Sequence, residues 1–342
     1  MKKHNLFLLL ALPMLLIVAS CSPDEPEIPV GTDINYHLAS ASEARTLMQS
    51  NTAHYASMNQ MDIDWRLKTT GGSLADLQAF AWQQALDFTD AEGDFIAEAI
   101  EIIEDDLKTI GCRLPIPDEV VYIKTTMLEE GRPAAYTIKN QIFLGQRIFD
   151  RYLPKPDQTD DEIHAALMTF AEIMAHELFH SISRNSPDFR QQMYELIGFT
   201  VLPNDIELPA HIKNLLSINP DVEHIDNYAE FTINGEKKRC ELLTLYNKSW
   251  AEAAAEMGND VSFFNYIDPI LVNLDDMTQL YTVDQTSDFW DKVGRNTDYV
   301  IAPEECMADN FSYAVVRGVN PMEPYASPDL ILNIINTLKE YK

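Results

Sequence analysis

The sequence predicts an α+β fold, with its helices and strands grouped in separate stretches of the chain. Helical spacing of apolar residues dominates up to residue 111, and β-branched and aromatic residues dominate from there to residue 145. A long helical pattern begins at residue 159, and the remainder predicts a mainly helical second half with one hairpin. Strands therefore do not alternate with helices one by one, as they do in a parallel α/β sheet. With 46% hydrophobic residues, the chain can bury a sizeable core.

The first predicted elements are two helices followed by two or three strands. Residues 74–87 predict a helix with Ser73 as its N-cap, and residues 94–110 predict a second helix that ends at Gly111. The segment "EVVYIKTT" has the composition of a strand. "GRPAAYTIKNQIFLG" then predicts one or two further strands, with a turn near Lys139 and the asparagine after it.

The longest predicted helix covers "TDDEIHAALMTFAEIMAHELFHSISR", with Thr159 or Asp160 as its cap. A shorter helix, "SPDFRQQMYELIG", has Pro187 near its first turn. "YAEFTINGEKKRCELLTLYN" predicts a hairpin around its Asn-Gly pair. Further helical patterns occur in "KSWAEAAAEMGND", "SDFWDKVGR", "PEECMADNFSYAVVRG" and "SPDLILNIINTLKEYK".

Residues 1–21 are predicted to be a lipoprotein signal peptide. A basic start, "MKKHN", precedes the apolar run "LFLLLALPMLLIVA", which is too short for a comfortable membrane span. "VASC" resembles a bacterial lipobox, in which cleavage occurs just before a cysteine that is then lipidated. The alternative is an ordinary secretory signal cut elsewhere. Lipid on Cys21 would anchor the protein to a membrane rather than let it span the membrane.

The stretch after Cys21 is acidic and rich in proline, so residues 22–35 are predicted to form an extended tether. Acidic residues directly after a lipidated cysteine resemble the surface-export signal of Bacteroidetes lipoproteins. The resemblance implies an exported lipoprotein of the cell envelope, held at the outer membrane and exposed at the surface. The formal net charge of −29 disfavours nucleic acid and anionic membrane surfaces as partners of the domain.

Beyond Cys21 the chain has three cysteines, Cys112, Cys240 and Cys306, and no CxxC pair. A cysteine zinc site or a redox motif is therefore not indicated. One disulfide could form among the three residues, in any of its pairings, and three buried free thiols are an equal alternative.

The segment "AEIMAHELFHSI" contains the candidate active site. Positions i and i+4 of an α-helix lie on one face, so His176 and His180 could bind one metal ion. Glu177, about 100° further around the helix, could reach a metal-bound water without being a ligand. Two imidazoles and a carboxylate would leave zinc a fourth position for water, whose pKa the ion lowers. The alternative is a pair of hydrogen-bonded histidines on a half-buried helix face.

Two histidines need a third ligand, and the sequence offers several candidates. In the pattern H-E-x-x-H-x-x-G-x-x-H the glycine and third-histidine places are Ser183 and Ser186 here, which excludes that class. Downstream, Glu305 and Asp309 stand at i and i+4 in "APEECMADNF". On a helix, Glu305 could bind the metal while Asp309 accepts a hydrogen bond from a histidine's other nitrogen. Asp298 remains an alternative ligand.

Together, "HELFH" and the later "ExxxD" pattern resemble the gluzincin, or thermolysin-like, class of zinc metallopeptidases. The resemblance implies that His176, His180 and Glu305 bind zinc, that Glu177 is the general base and that Asp309 orients a ligand. These motifs are specific, whereas the order of the surrounding elements resembles the class only loosely.

The same resemblance implies one zincin-like metallopeptidase domain over residues 36–342. Its N-terminal lobe, 36–183, would hold a small mixed sheet and the HExxH helix, and a mainly helical C-terminal lobe, 184–342, would complete the site. Zincins bind substrate as an extra strand along a sheet edge above the metal helix. "AAYTIKNQIFLG" would supply that edge by resemblance; the alternative is an ordinary buried strand pair.

Further residues near the motifs are candidates for supporting the chemistry. Tyr299 and Tyr313, close in sequence to Glu305, could stabilise an oxyanion as transition-state stabilisers, and the alternative for each is ordinary packing. A thermolysin-style transition-state histidine downstream would have to be His211 or His224.

Two positions beside Glu305 depart from the pattern. Glu304 has Ala308 at i+4, so as a ligand it would lack the support that Asp309 could give. The motif stretches are also similar to a group of uncharacterised bacterial proteins with zinc-peptidase motifs, which often have a histidine where Ala302 stands. A polar contact near the site is then lost in this chain.

The predicted function is a zinc-dependent metallopeptidase that hydrolyses peptide bonds with a zinc-activated water and Glu177 as general base. Its substrate would be a peptide or protein; the sequence leaves cleavage specificity and oligomeric state open. The alternative is a non-catalytic surface lipoprotein that binds a polymer, protein or glycan, through a degenerate or structural metal site. A third hypothesis keeps the zinc chemistry but hydrolyses an amide or ester outside proteins.

Overall fold

The structure is a computed structural model that describes residues 31–341. The predicted signal peptide, the lipidation site at Cys21 and the first part of the predicted tether lie outside the described residues. The helices are α1 Ala41–Ser50, α2 Thr52–Ser57, α3 Gln60–Leu67, α4 Leu74–Trp82, α5 Asp90–Ile110, α6 Gln146–Tyr152, α7 Asp160–Asn185, α8 Pro187–Glu195, α9 Ala210–Lys213, α10 Trp250–Met257, α11 Phe289–Val293, α12 Pro303–Ser312 and α13 Pro328–Glu340. The strands are β1 Tyr36–Leu38, β2 Ala85–Leu86, β3 Val120–Thr125, β4 Ala135–Ile138, β5 Gln141–Gly145, β6 Phe199–Val201, β7 Asn227–Ile233, β8 Glu236–Tyr246, β9 Ile267–Asn273 and β10 Leu280–Thr282.

The N-terminal half contains a small mixed sheet, within an α+β architecture. Strands β1, β3 and β5 are parallel neighbours in that order, and β2 pairs antiparallel with β3. Strand β4 pairs antiparallel with β5 and forms the edge of this sheet. The predicted two-residue turn between β4 and β5 is present, with Lys139 in the left-handed conformation at φ 58°.

The C-terminal half contains more strand than the sequence predicts. The predicted hairpin around Asn234 and Gly235 is present as β7 and β8, but it lies within a five-stranded antiparallel sheet of order β10-β9-β8-β7-β6. Strand β9 includes Asp268 and Pro269, and β6 has only three residues, so neither stretch has a strong strand pattern. Both strands depend on pairing with the hairpin rather than on local composition.

The predicted helices differ from the observed ones mainly near the N-terminus. The predicted helix over residues 74–87 ends at Trp82, because the chain turns there into β2. Helix α5 begins earlier than predicted, at Asp90, where Thr89 and Glu92 form a reciprocal capping box. Helices α1 to α3 were not predicted from the sequence.

Helix α7 is the central element of the fold. It begins at a capping box formed by Thr159 and Glu162 and ends where Pro187 starts α8. Its buried face packs against α5 through stacked rings of Phe95 and Phe170, with centroids 4.8 Å apart. Further along, it packs against α12, and one hydrophobic cluster includes residues of both predicted lobes, Phe95 and Phe311 among them. Core packing thus fixes α7 against α12.

Cys112, Cys240 and Cys306 are all free and buried, so the described residues contain no disulfide among them. The thiols lie in the apolar core, where burial raises the pKa of Cys112 to about 11. No helix among residues 31–341 combines the length and the apolar character that crossing a membrane would require.

Candidate metal centre

The packing of α7 against α12 brings two histidines and a glutamate together. His176 Nε2 lies 3.1 Å from Glu305 Oε2, and His180 Nε2 lies 3.6 Å from the same oxygen. The two imidazole centroids are 4.8 Å apart. His180 is fully buried and Glu305 is 1% exposed. The structure therefore gathers the three predicted ligands, although 129 positions separate His176 from Glu305.

The outer nitrogen of each histidine is held by a carboxylate. His176 Nδ1 bonds Asp309 Oδ1 at 2.8 Å, and His180 Nδ1 bonds Glu304 Oε1 at 3.0 Å. Asp309 also accepts a hydrogen bond from the Thr297 hydroxyl. Both Nδ1 atoms thus face carboxylates outside the group, and both Nε2 atoms face Glu305. Carboxylates on the outer nitrogens hold both rings in the orientation that a metal ligand needs.

One ligand atom of this group has no hydrogen-bond partner among residues 31–341. His180 Nε2 is buried, and no hydrogen-bond partner reaches it. An unsatisfied buried nitrogen costs free energy unless something compensates it. The nearby ligand atoms of His176, His180 and Glu305 all lie within 4.8 Å of one another, so this group could hold a metal ion. Two imidazoles and one carboxylate suit a divalent ion with an open fourth position.

Glu177 lies beside this group without joining it. Its Oε2 accepts a hydrogen bond from the Thr137 hydroxyl of β4 at 2.7 Å, and the residue is 4% exposed. Burial raises the pKa of the Glu177 carboxyl above its ordinary value, while His180 and His176 act in the opposite direction. A carboxyl in this position is placed to accept and return a proton during a reaction in the site.

A cavity of about 470 Å³ opens onto the group. The start of β4, the middle of α7 and the end of α12 form its walls. Tyr299 and Tyr313, the two predicted oxyanion stabilisers, both line it, and the Tyr299 ring lies 6.4 Å from that of His176. Tyr313 begins a π-helical turn that continues α12. The structure therefore places both tyrosines where a substrate in the cavity could touch them.

Comparison with known proteins found no match, whether to family models, to curated proteins or to solved structures. What the chain does must therefore be argued from its own geometry.

Three other sequence candidates do not reach the metal centre. Asp298 is exposed and does not line the cavity. His211 lies on α9, where its Nε2 bonds the carbonyl oxygen of Met277 at 3.2 Å. His224 pairs with Asp205 at 3.1 Å on the surface. Asp298 is thus excluded as the third ligand by its position, and neither histidine can contact a substrate in the cavity.

Glu304 has a role that sequence reasoning did not foresee. As a third ligand it would lack a supporting acid at i+4, and in the structure it bonds the outer nitrogen of His180 instead of the inner one. It also accepts hydrogen bonds from Ser183 and from Tyr194. The two adjacent acids at the start of α12 therefore have different contacts. Glu305 faces both histidines, whereas Glu304 positions His180. Ala302, just before α12, does not line the cavity.

Segment 219–221 supplies two more site residues that the sequence did not indicate. The Asn219 amide donates to Glu305 Oε1, which fixes the oxygen that does not face the histidines. Asp221 Oδ1 lies 3.9 Å from His180 Nε2 and accepts a hydrogen bond from the backbone N–H of Thr137 at 2.6 Å. "NPD" has the composition of an ordinary turn, so no local signal marks these residues as part of a site.

Proposed function

We propose that the chain is a zinc-dependent metallopeptidase of the gluzincin type, with a zincin-like fold. The unpartnered Nε2 of His180, buried beside His176 Nε2 and Glu305 Oε2, carries this proposal. Burying an unpaired nitrogen is costly, and a metal ion bound by this group would compensate that cost. The carboxylates on both outer nitrogens further support metal binding.

His176, His180 and Glu305 would hold the zinc. Bound there, zinc supplies Lewis acidity, which lowers the pKa of a coordinated water and polarises a substrate carbonyl. The supporting contacts of Asp309, Glu304 and Asn219 keep these ligands oriented. Asp298 and Glu304 do not offer an oxygen at this position.

Glu177 would act as the general base. It takes a proton from the attacking water and returns it to the nitrogen of the leaving amine. The Thr137 hydroxyl, at 2.7 Å, holds the carboxyl toward the site. Tyr299 and Tyr313 line the cavity on the side of α12, where a phenol could donate to the developing oxyanion.

The proposal extends to where the protein acts. Lipidation at Cys21 and an acidic tether would hold the domain at the cell envelope, on the outer membrane with its cleft exposed to peptide substrates. The strongly negative surface excludes nucleic acid as a favoured partner.

Glu177→Gln tests the mechanism. Glutamine keeps the volume and can still accept the Thr137 hydrogen bond, but it cannot take a proton. We expect the variant to bind zinc as the wild type does and to lose roughly 10²–10⁴-fold in kcat on a peptide library. Metal content by atomic emission and fragment analysis by mass spectrometry provide the two readouts.

The contrary outcomes are separable. Zinc-loaded wild type that cleaves no peptide, ester or amide would favour the non-catalytic lipoprotein that binds a polymer. Turnover of small amides or esters alone would move the substrate outside proteins. Equal peptide cleavage by wild type and Glu177→Gln would refute the assigned base.

A further inference from the structure

The cleft beside the metal centre has one closed end. Strand β4 and helix α7 run side by side in the same direction, since Thr137 contacts Glu177 and the Ser181 hydroxyl bonds the Lys139 carbonyl at 3.4 Å. Along α7 the cavity is lined from Thr169 to Glu177, and along β4 it is lined only up to its first residue. The cleft therefore extends toward the amino-terminal ends of both elements and ends at the metal centre.

Segment 219–221 forms the closed end. The Asp221 carboxyl accepts the backbone N–H of Thr137 at 2.6 Å, and Arg184 donates to the Thr137 carbonyl oxygen at 3.0 Å. Arg184 also donates to the carbonyl oxygens of Pro220 and Asp221, at 3.3 and 2.9 Å. Both backbone groups of Thr137 that face away from the sheet are thus occupied. A substrate strand cannot pair with β4 at Thr137 or continue past it.

The neighbouring outward position on β4 is open. Ala134 accepts a hydrogen bond from Gly145 of β5, and Thr137 faces away from β5 toward Asp221. In an antiparallel pair, alternate residues bond the partner strand and face away from it, so Ala135 also faces away. Ala135 lines the cleft. A substrate backbone can therefore pair at Ala135, one step from the closed end.

The direction of the substrate follows from pairing and charge. An antiparallel strand, the commoner arrangement, would place its amino end toward the carboxyl end of β4, where Asp221 lies. The carboxyl groups of Asp221, Glu177 and Glu305 line this end, and such a cluster of acids suits an ammonium group better than a carboxylate. At the opposite end the cleft is lined by two arginines, Arg132 and Arg317.

We infer that the site is an aminopeptidase site, in which Asp221 binds the free α-ammonium group of a peptide. This inference rests on the proposed peptidase function and adds its substrate class. The α-nitrogen of a residue lies about 2.5 Å from its own carbonyl carbon, given standard bond lengths and angle. Asp221 lies 3.9 Å from His180 Nε2, so an ammonium on Asp221 brings the first carbonyl to the metal centre.

The reaction would then release one residue at a time. The water oxygen bonds to the first carbonyl carbon, and the bond between that carbon and the next nitrogen breaks. One water proton passes through Glu177 to the leaving nitrogen. The products are one free amino acid and a peptide one residue shorter.

A second cavity indicates which first residue fits. It measures about 40 Å³ and shares Ala135, Asp221 and Tyr299 with the cleft. A single buried water needs roughly 10–15 Å³ in this measure, so the space holds about three such spheres. A short apolar side chain such as valine or alanine matches this volume. Its walls are largely apolar and include Ile218, Phe263, Phe264 and Ile301.

Asp221→Asn tests the inference in the zinc-loaded full chain. Asparagine can keep the hydrogen bond from Thr137 but cannot become a carboxylate. The substrates are a pentapeptide with amino-terminal valine and its N-acetylated form. We expect wild type to release valine first and to prefer the free peptide by roughly tenfold or more in kcat/KM. Asp221→Asn should abolish that preference through KM while retaining zinc.

Binding provides a readout that does not depend on turnover. Calorimetry with zinc-loaded Glu177→Gln should show tighter binding of the free peptide than of the acetylated one. Adding Asp221→Asn should remove this difference, and adding Asp298→Asn, an exposed acid outside the cleft, should leave it intact.

Different results would contradict the aminopeptidase inference and the peptidase function. Internal cleavage of the acetylated peptide at the rate of the free one would overturn the aminopeptidase inference and leave the peptidase function standing. The same holds if Asp221→Asn keeps the preference, or if it loses zinc, which would make Asp221 a ligand. Zinc-loaded wild type that hydrolyses neither peptide would count against the peptidase function itself.

Discussion

The metal centre can be compared with a second buried cluster of ionisable residues, formed by His54, Asp62, Arg66 and Glu130. The two clusters differ in whether their polar atoms all have hydrogen-bond partners. In the second cluster, which we call the Arg66 cluster, Arg66 donates to Asp62 at 3.0 Å and to Glu130 at 2.8 Å. His54 bonds the remaining Glu130 oxygen at 2.9 Å. Within the described residues no buried side-chain atom of this cluster lacks a partner, whereas His180 Nε2 does.

The difference separates a structural role from a binding role. Although burial would raise it, Arg66 and His54 hold the pKa of the Glu130 carboxyl below its ordinary value. Opposite charges inside the protein therefore complete the Arg66 cluster. At the metal centre two imidazole nitrogens and a carboxylate oxygen face one point, and a cation from outside would complete the group.

Two adjacent residues, Ile218 and Asn219, connect the Arg66 cluster to the metal centre. Arg66 donates to the carbonyl oxygen of Ile218 at 2.7 Å, and Asp62 accepts the backbone N–H of Ile218 at 3.0 Å. The next residue, Asn219, bonds Glu305 at the metal centre. The Arg66 cluster thus fixes the position of segment 219–221, which closes the cleft.

The largest change in the free energy of unfolding should come from removing the cation of the Arg66 cluster. Arg66→Ala would leave Asp62 and Glu130 buried without their cation, and such losses cost roughly 3–5 kcal/mol in the free energy of unfolding. Urea titration followed by circular dichroism measures this cost. The folded fraction should still bind zinc in the wild-type ratio, because no zinc ligand is removed.

Arg147→Ala is the matched control, since Arg147 is exposed on α6. Its effect should stay within about 0.5 kcal/mol. If Arg66→Ala were as mild as this control, the Arg66 cluster would not be the structural anchor described here.

The sequence predicts the metal centre better than it predicts the cleft. His176 and His180 follow from i and i+4 spacing on a helix, a local rule that needs no tertiary information, whereas the roles of Glu305 and Asp309 also rest on the resemblance to gluzincins. The start of α7 at Thr159 and the two-residue turns of both hairpins are local for the same reason.

The features missed around the site and in the C-terminal sheet depend on distant pairing. Glu304 positions His180 because Tyr194 and Ser183 reach it from α8 and α7, which the spacing within α12 cannot show. Asp221 enters the site because Thr137 and Arg184 hold it there. Strand β9 exists only through its pairing with β8, so a weak strand pattern could not reveal the C-terminal sheet.

A smaller effect, on metal affinity, is expected when a residue that positions a metal ligand is changed. Glu304→Gln keeps the zinc ligands but removes the charge that bonds His180 Nδ1. Losses of this kind weaken metal binding roughly 10–100-fold. Competition with a chromophoric chelator measures the affinity. The control Glu195→Gln, on the exposed end of α8, should have the metal affinity of the wild type. An unchanged affinity in Glu304→Gln would argue that His180 is not a ligand.

Glu129 extends the comparison, because it also has a buried atom without a hydrogen-bond partner. Its Oε2 is buried without a partner, while Oε1 accepts hydrogen bonds from Thr125 and Tyr136. No histidine or second acid joins it in a group of ligand atoms within the described residues. A proton rather than a metal ion should satisfy it, and burial indeed raises the pKa of the Glu129 carboxyl from 4.5 to about 7.

A pH-dependent effect on stability follows from that shift. Since the pKa of Glu129 is higher in the folded state than in the unfolded one, its stabilisation is fully present below about pH 4.5 and is lost as pH rises through about 7. Glu129→Gln stays neutral, so its free energy of unfolding should rise relative to wild type between about pH 5 and pH 8. Urea titrations at both pH values measure the change, with the exposed Glu98→Gln as control. A constant difference between Glu129→Gln and wild type across this range would mean that Glu129 is already ionised in the fold, and an open buried oxygen would then no longer distinguish a proton site from a metal site.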